Sequence, residues 1–235
     1  MKIGIIVLCR YDSIRLPGKI LKKIQGKTIL SHILDRLHKV RSAHQIVVAT
    51  STQKPDDIIQ AHCYDYGIPC YRGDLLNVAE RFLSCSKAFQ FDYAVRINGD
   101  NLFTDPALID LMINQATSGN FDFISNVPER TFPYGMSIEI LKTDFYATIL
   151  PRFNLERYHE HVTLYLYEHE ELGKRQYFYN TICPGLKGEN LAIDNDKDLS
   201  LAEKIFARLS HLDKEFGLKE LCAIKDYIIH ERMER

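Results

Sequence analysis

Apolar residues along the first half of the chain alternate between short continuous runs and stretches with helical spacing. Residues 3–9 form an apolar run of strand length, whereas the apolar positions between residues 27 and 41 have the spacing of an amphipathic helix. The pattern predicts further strands at 45–49, 69–71, 93–97 and 121–124, and helices at 55–66, 75–89 and 105–115. Strands that alternate with helices in this way predict a parallel sheet with right-handed crossover connections.

The pattern changes at about residue 128, where aromatic-rich stretches replace the regular alternation. A strand is predicted at 136–141, mixed short elements continue to residue 193, and two helices are predicted at 197–209 and 218–234. We therefore expect one α/β domain over residues 1–235, with a Rossmann-like, mostly parallel sheet flanked by helices. Residues 128–193 are expected to form a small α+β excursion for substrate binding or dimerisation.

Composition and charge narrow the classes of partner. The 235 residues are 46% apolar and 26% charged, and 30 Lys and Arg residues balance 31 Asp and Glu residues. This balance argues against nucleic acid and against a membrane surface as partners, and no window approaches the roughly 18 apolar residues of a membrane span. The first apolar run is too short for a secretory signal, so we expect a cytoplasmic protein.

A cationic loop follows the first predicted strand. Residues 10–19 carry positive charges at Arg10, Arg15 and Lys19 and a hydroxyl group at Ser13. Three fixed charges along a short segment suit a linear polyanion such as a triphosphate. Ligands of open α/β sheets bind at the carboxyl ends of strands, and this loop lies at such an end. The alternative is a solvated basic loop without a ligand.

The six cysteines are dispersed along the chain. They form no Cys-x-x-Cys pair and have no metal-ligand spacing to histidine, so we expect reduced, mostly buried thiols. Cys9, which ends the first strand beside the cationic loop, fits either a catalytic thiol or a small packed side chain, and we favour the packed side chain.

Two acidic groups follow predicted strands in distant parts of the chain. Asp100 closes the segment Asn98-Gly99-Asp100, and Asp194 opens a second group that extends to Asp198. Magnesium prefers oxygen ligands, typically one or two carboxylates completed by phosphate and water. Asp100, Asp194 and a triphosphate on the cationic loop are therefore coherent as a Mg²⁺ site. The alternatives are a simple turn at Asn98-Gly99-Asp100 and a helix cap from one of the later carboxylates.

These motifs, taken in order, resemble a known family. The segment Arg10-x-x-Ser13-x-Arg15-Leu16-Pro17-Gly18-Lys19 resembles the signature of the sugar-acid cytidylyltransferases, most closely the spore-coat polysaccharide branch. Further motifs of that branch follow along the chain: Arg72-Gly73-Asp74, Asn77-Val78-x-x-Arg81, Arg96-x-x-Gly99-Asp100, Asp105-Pro106, Pro133-x-Gly135-x-x-x-Glu139, Glu160-His161-Val162-Thr163 and Ile193-Asp194-x-x-x-Asp198-Leu199. The resemblance covers nearly the whole chain.

The resemblance implies a fold of the nucleotidyltransferase type and an enzyme that joins a sugar acid, or a related sugar, to CMP. CTP is the second substrate, pyrophosphate is released, and the product serves surface polysaccharide or glycan biosynthesis. The implied catalytic residues are Arg10, Arg15, Lys19 and Asp100, and the implied Mg²⁺ ligands are Asp100 and Asp194. The implied nucleotide-binding residues are Arg10, Ser13, Arg15, Lys19, Arg72, Asn77, Arg81 and Asp100.

Family resemblance also indicates where the sugar and a second subunit would bind. The implied sugar-binding residues are Glu139, Glu160, His161 and Thr163, although Glu160 also fits the role of a helix cap. Relatives are commonly homodimers, and the aromatic-rich segment 145–179 suits such an interface.

The sequence departs from the family pattern at three places, and none of the departures removes a charged ligand. Leu8-Cys9 stands in place of Gln-Ala, Leu102 in place of proline, and Asp194-Asn195-Asp196 in place of Asp-Thr-Pro. They bear on substrate choice more than on the chemistry.

Two other functions stay open at this point. One is a glycosyltransferase that binds a finished nucleotide sugar, and the other is a non-catalytic nucleotide-binding subunit. The cationic loop favours the CTP-dependent enzyme over the glycosyltransferase, because a finished nucleotide sugar has no β,γ-diphosphate for three cations to hold.

Overall fold

A seven-stranded sheet forms the centre of the computed structural model, which describes residues 1–13, 15–209 and 216–233. Its strands are β1 (Ile3–Leu8), β4 (Gln45–Ser51), β5 (Cys70–Gly73), β6 (Tyr93–Asn98), β7 (Phe123–Ser125), β8 (Glu139–Lys142) and β9 (Arg175–Tyr177), in the spatial order β5-β4-β1-β6-β8-β7-β9. The short strands β2 (Lys23–Ile24) and β3 (Lys27–Thr28) pair separately.

Strand direction confirms a mostly parallel sheet. Strands β5, β4, β1 and β6 are parallel neighbours, which agrees with the crossover pattern of the sequence. Strand β8 departs from the expected parallel arrangement, because it runs antiparallel to both β6 and β7. The antiparallel strand separates the first four strands from the β7–β9 pair.

Helices cover both faces of the sheet. In the described ranges they are α1 (Ile29–Leu37), α2 (Asp57–Tyr66), α3 (Val78–Ala88), α4 (Pro106–Ser118), α5 (Thr143–Ile149), α6 (Glu156–Glu160), α7 (Leu164–Glu168), α8 (Asp196–Arg208), α9 (Leu218–Ala223) and α10 (Lys225–Met233). The single helix predicted at 218–234 is divided in two at Ile224. None of the helices in these ranges is long and apolar enough to cross a membrane.

Polar side chains explain why α3 begins three residues later than predicted. The Asp74 carboxylate accepts hydrogen bonds from the backbone N–H groups of Leu76 and Asn77, each at 2.7 Å. The Asn77 side chain then caps the helix by accepting from Glu80 N at 2.9 Å. Residues 74–77 therefore form a tight turn in front of the helix, because local side chains satisfy the backbone donors there.

Side-chain hydrogen bonds also shorten the strand predicted at 136–141, which begins only at Glu139. The Asn126 side chain accepts from Ile138 N at 2.7 Å and donates to Met136 O at 2.9 Å. A side chain thus takes the position that a neighbouring strand would occupy, and residues 136–138 leave the sheet. In the segment before them, Tyr134 forms an isolated bridge with Asn190, and Gly135 packs against Ala192.

Both faces of the central strands are buried, as expected for parallel strands with helices on either side. Ile5 and Val7 of β1 belong to the apolar cluster that includes α1, α4 and α8. Ile6 and Leu8 belong to the opposite cluster, which contains α3 and an aromatic group around Tyr146. The alternation of side chains along a strand produces these two faces.

Two cysteines correct the expectation of reduced thiols. Cys183 and Cys222, which are 39 positions apart in sequence, form a disulfide, with their Cα atoms 5.6 Å apart. Cys9, Cys63 and Cys85 are buried free thiols, and Cys70 is a half-buried one. The spacing of the bonded pair matches no short motif, so only the folded chain reveals it.

Asp105 joins the sheet region to the C-terminal helices. Its Oδ1 atom accepts from Ala107 N at 2.9 Å and Leu108 N at 3.3 Å, which caps α4 as predicted. Its Oδ2 atom accepts from Leu218 N at 2.8 Å, at the start of α9. A Cβ atom on Gly217 would lie 2.5 Å from Oδ2, so only glycine permits this contact.

We expect the substitution Asp105→Ala to lower the free energy of unfolding by about 2 kcal/mol, because it removes a helix cap and leaves Leu218 N without its acceptor. Urea denaturation followed by circular dichroism measures the change. The exposed Glu203→Ala on α8 is the matched control and should stay within about 0.5 kcal/mol of the wild type. An unchanged midpoint for Asp105→Ala would refute the role of this carboxylate.

Candidate active site

The site forms where β1 and β6 end side by side. Leu8 pairs with Asn98, and Gly99 N donates to Leu8 O at 2.9 Å. A Cβ atom on Gly99 would lie 2.6 Å from Cys9 Cβ, so the close approach of the two chain segments requires glycine. The turn that carries Asp100 is therefore packed against the base of the cationic loop.

A buried carboxylate anchors the cationic loop. Asp56, which is 2% exposed, accepts from Tyr11 N at 2.7 Å and from Ser51 N at 2.9 Å. Burial raises the pKa of Asp56, but hydrogen bonds from Ser51 and Tyr11 outweigh burial and hold the pKa below its usual value. The loop closes on itself where Gly18 N donates to Tyr11 O at 2.9 Å, with Gly18 at φ 67°.

The role of Asp56 is not predictable from the local sequence. In the sequence it is one of two adjacent acidic residues near the start of a predicted helix. Acidic residues are common in the first turn of a helix, so nothing in the sequence distinguishes it. Its contact with Tyr11 spans 45 positions, and no local pattern indicates it.

A cavity of about 870 Å³ lies over these strand ends. It brings together most of the predicted site residues: Arg10, Ser13, Arg15, Lys19, Asn77, Arg81, Asp100, Glu160, His161 and Asp194. The cationic loop and the Asp100 turn form one side, the 74–81 segment forms another, and residues of α6 with His161 complete the lining. Clefts of this size at a strand edge are the usual position of ligands in α/β proteins.

Lys19 lies between two carboxylates that are 94 positions apart in sequence. Its Nζ atom is 3.7 Å from Asp100 Oδ2 and 3.4 Å from Asp194 Oδ1, which limits the separation of these two oxygens to about 7.1 Å. Nζ also donates to Ile193 O at 2.8 Å. Arg15 adds a second positive charge, since its Nη2 donates to Asp194 Oδ1 at 2.9 Å.

Electrostatics at Asp100 reflect this crowding. Burial raises the pKa of Asp100 above its usual value, and the neighbouring charge of Asp194 acts in the same direction. The positive charge of Lys19 opposes the rise. Two carboxylates in a partly enclosed site therefore need a cation between them, and Lys19 supplies it in this structure.

Asp194 is free to face the cleft because other residues cap α8. Asn195 accepts from Asp198 N at 3.0 Å, and Asp198 Oδ2 accepts from Asn195 N at 3.2 Å, which is a capping box. Asp198 Oδ2 also accepts from Asp194 N at 3.0 Å. The backbone of Asp194 is thus held by the helix start, while its carboxylate contacts Arg15 and Lys19.

Asp100 and Asp194 are the residues that fit a divalent cation. Their carboxylate oxygens are hard ligands, and they already converge on one cationic atom, Lys19 Nζ. Within the described ranges, no group of three or more His, Cys, Asp or Glu side chains is arranged to hold a metal. An ion at this place would therefore take its other ligands from a bound nucleotide or from water.

The remaining cavity residues differ in whether their side chains are available to a ligand or already bonded to the protein. Arg10 makes no hydrogen bond or ion pair with the part of the chain that the structure describes, so its guanidinium is available to a ligand. Arg81 is buried and donates to the carbonyls of Asp74 and Leu75, which fixes the 74–77 turn against the cavity. Asn77 faces the same cavity from the start of α3.

Three predicted site residues do not line the cavity. Arg72 donates to the carbonyls of Ser51 and Gln53 and pairs with Asp57 at 2.9 Å, on the α2 side of the sheet edge. Glu139 and Thr163 are buried and bonded to each other, with Thr163 Oγ1 donating to Glu139 Oε1 at 2.6 Å.

Glu139 belongs to a buried charge network beneath the cavity. It pairs with Arg96 and accepts from Tyr167 OH at 2.7 Å. Burial raises the pKa of Glu139, but the charge of Arg96 and three hydrogen bonds outweigh it and lower the pKa below its usual value. Arg96 itself lines the cavity, so Glu139 contributes to the site by positioning Arg96.

Cys9 is packed rather than exposed at the site. It is buried against Gly99, and burial raises the pKa of its thiol well above the usual value. A protonated thiol is a weak nucleophile. The structure therefore agrees with the packed reading of this residue.

Comparisons with known proteins identify the family of the chain. The chain matches the family model described as cytidylyltransferase over residues 4–225. It is 32% identical to the spore coat polysaccharide biosynthesis protein SpsF of Bacillus subtilis over 179 residues, 73% of this chain and 72% of that protein. A cytidylyltransferase structure from Leptospira borgpetersenii aligns with a TM-score of 0.88 at 29% identity, covering 97% of this chain and 95% of that chain.

A more distant structure shares the fold. CMP:2-keto-3-deoxy-manno-octonic acid synthetase, solved in complex with CTP, aligns with a TM-score of 0.66 at 16% identity, covering 88% of this chain and 99% of that chain. The sheet and the strand-end site thus define a nucleotidyltransferase. The chain belongs to the cytidylyltransferase family and is a CTP-dependent enzyme, which confirms the resemblance noted in its sequence.

We expect Glu139→Ala to lower the free energy of unfolding by about 3–5 kcal/mol, because it removes the buried partner of an ion pair and leaves the half-buried Arg96 without its counter-charge. Since the pKa of Glu139 is lowered by folding, this stabilisation is present above pH ~4.3 and is lost as the pH falls through the folded value. Denaturant titrations at pH 7 measure the difference. Asp226→Ala, in an exposed ion pair with Lys225, is the control and should change stability by less than about 1 kcal/mol. Equal effects of the two substitutions would contradict the network.

Proposed function

We propose that this protein activates a sugar acid, or a related sugar, with CTP to give a CMP-sugar and pyrophosphate, for surface polysaccharide or glycan biosynthesis. The observation that carries the proposal is that the cationic loop lines one cavity with Asp100 and Asp194, and that Lys19 of this loop contacts both carboxylates. Support comes from SpsF, a spore coat polysaccharide biosynthesis protein, and from the structurally similar synthetase that was solved with CTP.

In the proposed reaction a sugar hydroxyl oxygen bonds to the α-phosphorus of CTP. The bond from that phosphorus to the oxygen bridging to the β-phosphate breaks, pyrophosphate leaves and the hydroxyl proton passes to solvent. Catalysis then depends on position and on neutralised charge, as in phosphoryl chemistry generally.

The cations of the loop have separate roles in this scheme. Arg10 and Arg15 hold the β- and γ-phosphates with their planar donor groups, and Ser13 donates to a phosphate oxygen. Lys19 adds a point charge at the phosphate nearest to the carboxylates. We propose Mg²⁺ as the ion held by Asp100 and Asp194, where it would withdraw charge from the α-phosphate.

Other residues around the cavity are proposed to contact the cytosine ring of CTP and the sugar. We propose that the 74–81 segment, with Asn77 and Arg81, faces the cytosine ring, and that Glu160 and His161 contact hydroxyl groups of the sugar. The support is that all four line the same cavity as the cationic loop. Glu139 and Thr163 would act on this site indirectly, through Arg96, and Arg72 through the end of β4.

Organisation of the whole protein is a further part of the proposal. We propose a single nucleotidyltransferase domain over residues 1–235 that acts in the cytoplasm as a homodimer. Exposed Leu155 and Tyr179, which belong to the aromatic-rich segment 145–179, support an interface there.

A substrate panel tests the proposal directly. The four ribonucleoside triphosphates are each incubated with sugar acids, sugar phosphates and neutral sugars, and pyrophosphate release is recorded. CTP with an anionic sugar should give the fastest release. Burying the edge of another base against groups that do not match its hydrogen-bond donors and acceptors would cost free energy. Turnover with a finished CMP-sugar and an acceptor, but none with CTP, would favour the glycosyltransferase instead. Absence of turnover in every combination would favour the non-catalytic subunit.

Arg15→Ala and Lys19→Ala should each lower kcat/KM for CTP by at least about 30-fold, which is about 2 kcal/mol of transition-state stabilisation. Each substitution removes a charge-assisted contact to phosphate. Lys22→Ala, a nearby lysine paired with Asp196 outside the cavity, is the matched control. Near-normal turnover in both loop variants would leave the loop as a solvated surface.

Asp100→Asn and Asp194→Asn should lower turnover by about 100-fold and raise the concentration of Mg²⁺ needed for half-maximal rate, because each replaces a charged ligand by a neutral one. Calorimetry of CTP binding without metal should change little. Asp196→Asn, an exposed residue two positions from Asp194, serves as the control. An unchanged metal requirement in Asp194→Asn would remove this residue from the proposed site.

A further inference from the structure

A second, smaller chamber of about 400 Å³ adjoins the main cavity. The two chambers share Asn98, Asp100 and Asp194, so the carboxylate pair stands at the boundary between them. The far wall of the small chamber contains Arg130 and Tyr134, which no part of the proposed function uses so far.

Arg130 presents an unneutralised guanidinium to this chamber. Its Cζ atom lies 4.5 Å from the centre of the Tyr134 ring, and its Nη1 donates to Ser137 Oγ at a long 3.4 Å. No carboxylate of the described residues lies within ion-pair distance of it. A guanidinium has five N–H donors, and most of those on Arg130 are therefore available to an anion.

Backbone geometry at Arg130 is unusual for residues with a Cβ atom. Glu129 and Arg130 are consecutive left-handed residues, with φ 57° and φ 47°. Such conformations cost free energy and persist only where the surrounding structure holds them. Here Arg130 N donates to Val127 O at 3.0 Å and Arg130 O accepts from Gly188 N at 3.3 Å, so the turn is tied at both sides.

The wall of the small chamber is also well ordered by hydrogen bonds. Tyr134 N donates to Glu189 O and Leu191 N donates to Tyr134 O, both at 2.8 Å. Gly135 has φ 85°, and a Cβ atom there would lie 2.5 Å from Ala192 N, so the two segments are in direct backbone contact. A wall built in this way exists before a ligand arrives, which lowers the entropy cost of binding.

The lining has the chemistry of a binding site for an anionic sugar. Amide and hydroxyl side chains, represented by Asn101, Ser137 and Asn190, can exchange hydrogen bonds with sugar hydroxyl groups, and Tyr134 offers an aromatic face. Among the described residues of this lining, Arg130 supplies the single side-chain cation, and its planar fork suits a carboxylate or a phosphate.

We infer that the small chamber binds the part of the acceptor sugar that carries its anionic group and that Arg130 holds this group, while the rest of the sugar extends past the carboxylates toward Glu160 and His161 in the main cavity. This inference rests on the proposed function and adds to it a recognition residue. The attacking hydroxyl then faces the Asp100 and Asp194 boundary from one chamber, while the triphosphate approaches the boundary from the other. In-line displacement at phosphorus needs the attacking and leaving oxygens on opposite sides, and two chambers that meet at the carboxylates provide this arrangement.

The test compares Arg130→Ala and Arg130→Lys with the wild type and with the exposed Arg152→Ala as the matched control. The probes are 3-deoxy-manno-octulosonate, N-acetylneuraminate, and a hexose 6-phosphate, each paired with its methyl ester or unphosphorylated form. Pyrophosphate release gives KM for each acceptor that reacts, and calorimetry gives Kd for CTP. Thermal denaturation checks that each variant is folded.

Arg130→Ala should raise KM for the reacting anionic acceptor by at least about 30-fold, leave Kd for CTP unchanged and leave KM for the neutral form unchanged. Arg130→Lys should recover part of the loss, because it retains a charge without the planar fork. The acid and phosphate arms show which anion the residue recognises.

Other results separate this inference from the proposed function. A folded Arg130→Ala variant with wild-type KM for the anionic acceptor overturns the inference and leaves the cytidylyltransfer proposal intact. Equal losses for the anionic and neutral acceptors also overturn it, because they indicate a structural role. No turnover of any acceptor by the wild type, with CTP bound, overturns the proposed function and the inference with it.

Discussion

Two half-buried carboxylates that face each other need a cation, and the geometry of the site follows from this need. Asp100 and Asp194 are 94 positions apart in sequence and would repel each other if Lys19 did not contact both. The contact requires the cationic loop to lie directly above the end of β6, and this in turn requires β1 and β6 to be neighbours. The parallel pairing of the two strands is therefore a condition for the charge balance of the site.

Buried polar groups around the site keep the exposed ones in position. Asp56 holds the backbone of the loop at Tyr11, and Glu139 holds Arg96 from beneath the cavity. Neither carboxylate faces the solvent, and both have lowered pKa values because hydrogen bonds and, for Glu139, a paired cation outweigh burial. The residues that a ligand would meet and the residues that fix their geometry are thus different sets, joined by the backbone of the strands.

Local patterns in the sequence were sufficient for the first four parallel strands and for the two aspartates. Each aspartate directly follows an apolar run, and strand ends of one parallel sheet face one cleft. The features that the sequence did not predict depend on contacts between residues far apart in the chain. The Asn126 side chain bonds the backbone of Met136 and Ile138, so the strand predicted at 136–141 begins only at Glu139, and the strand that follows runs antiparallel to β6. Arg72 is turned from the cavity by acceptors on β4 and α2. Family motifs likewise do not separate buried Glu139 from exposed Glu160, since burial is a property of the folded chain.

The contact between Gly135 and Ala192 has a consequence for how this enzyme could change its substrate. Residues 189–192 pair with Tyr134 and continue, two positions later, into Asp194. Any insertion or bulky replacement in that backbone would shift the Asp194 carboxylate along with the wall of the small chamber. In the proposed acceptor site, a new specificity is therefore reached through side chains such as those at positions 130 and 137, while the backbone that carries them stays unchanged.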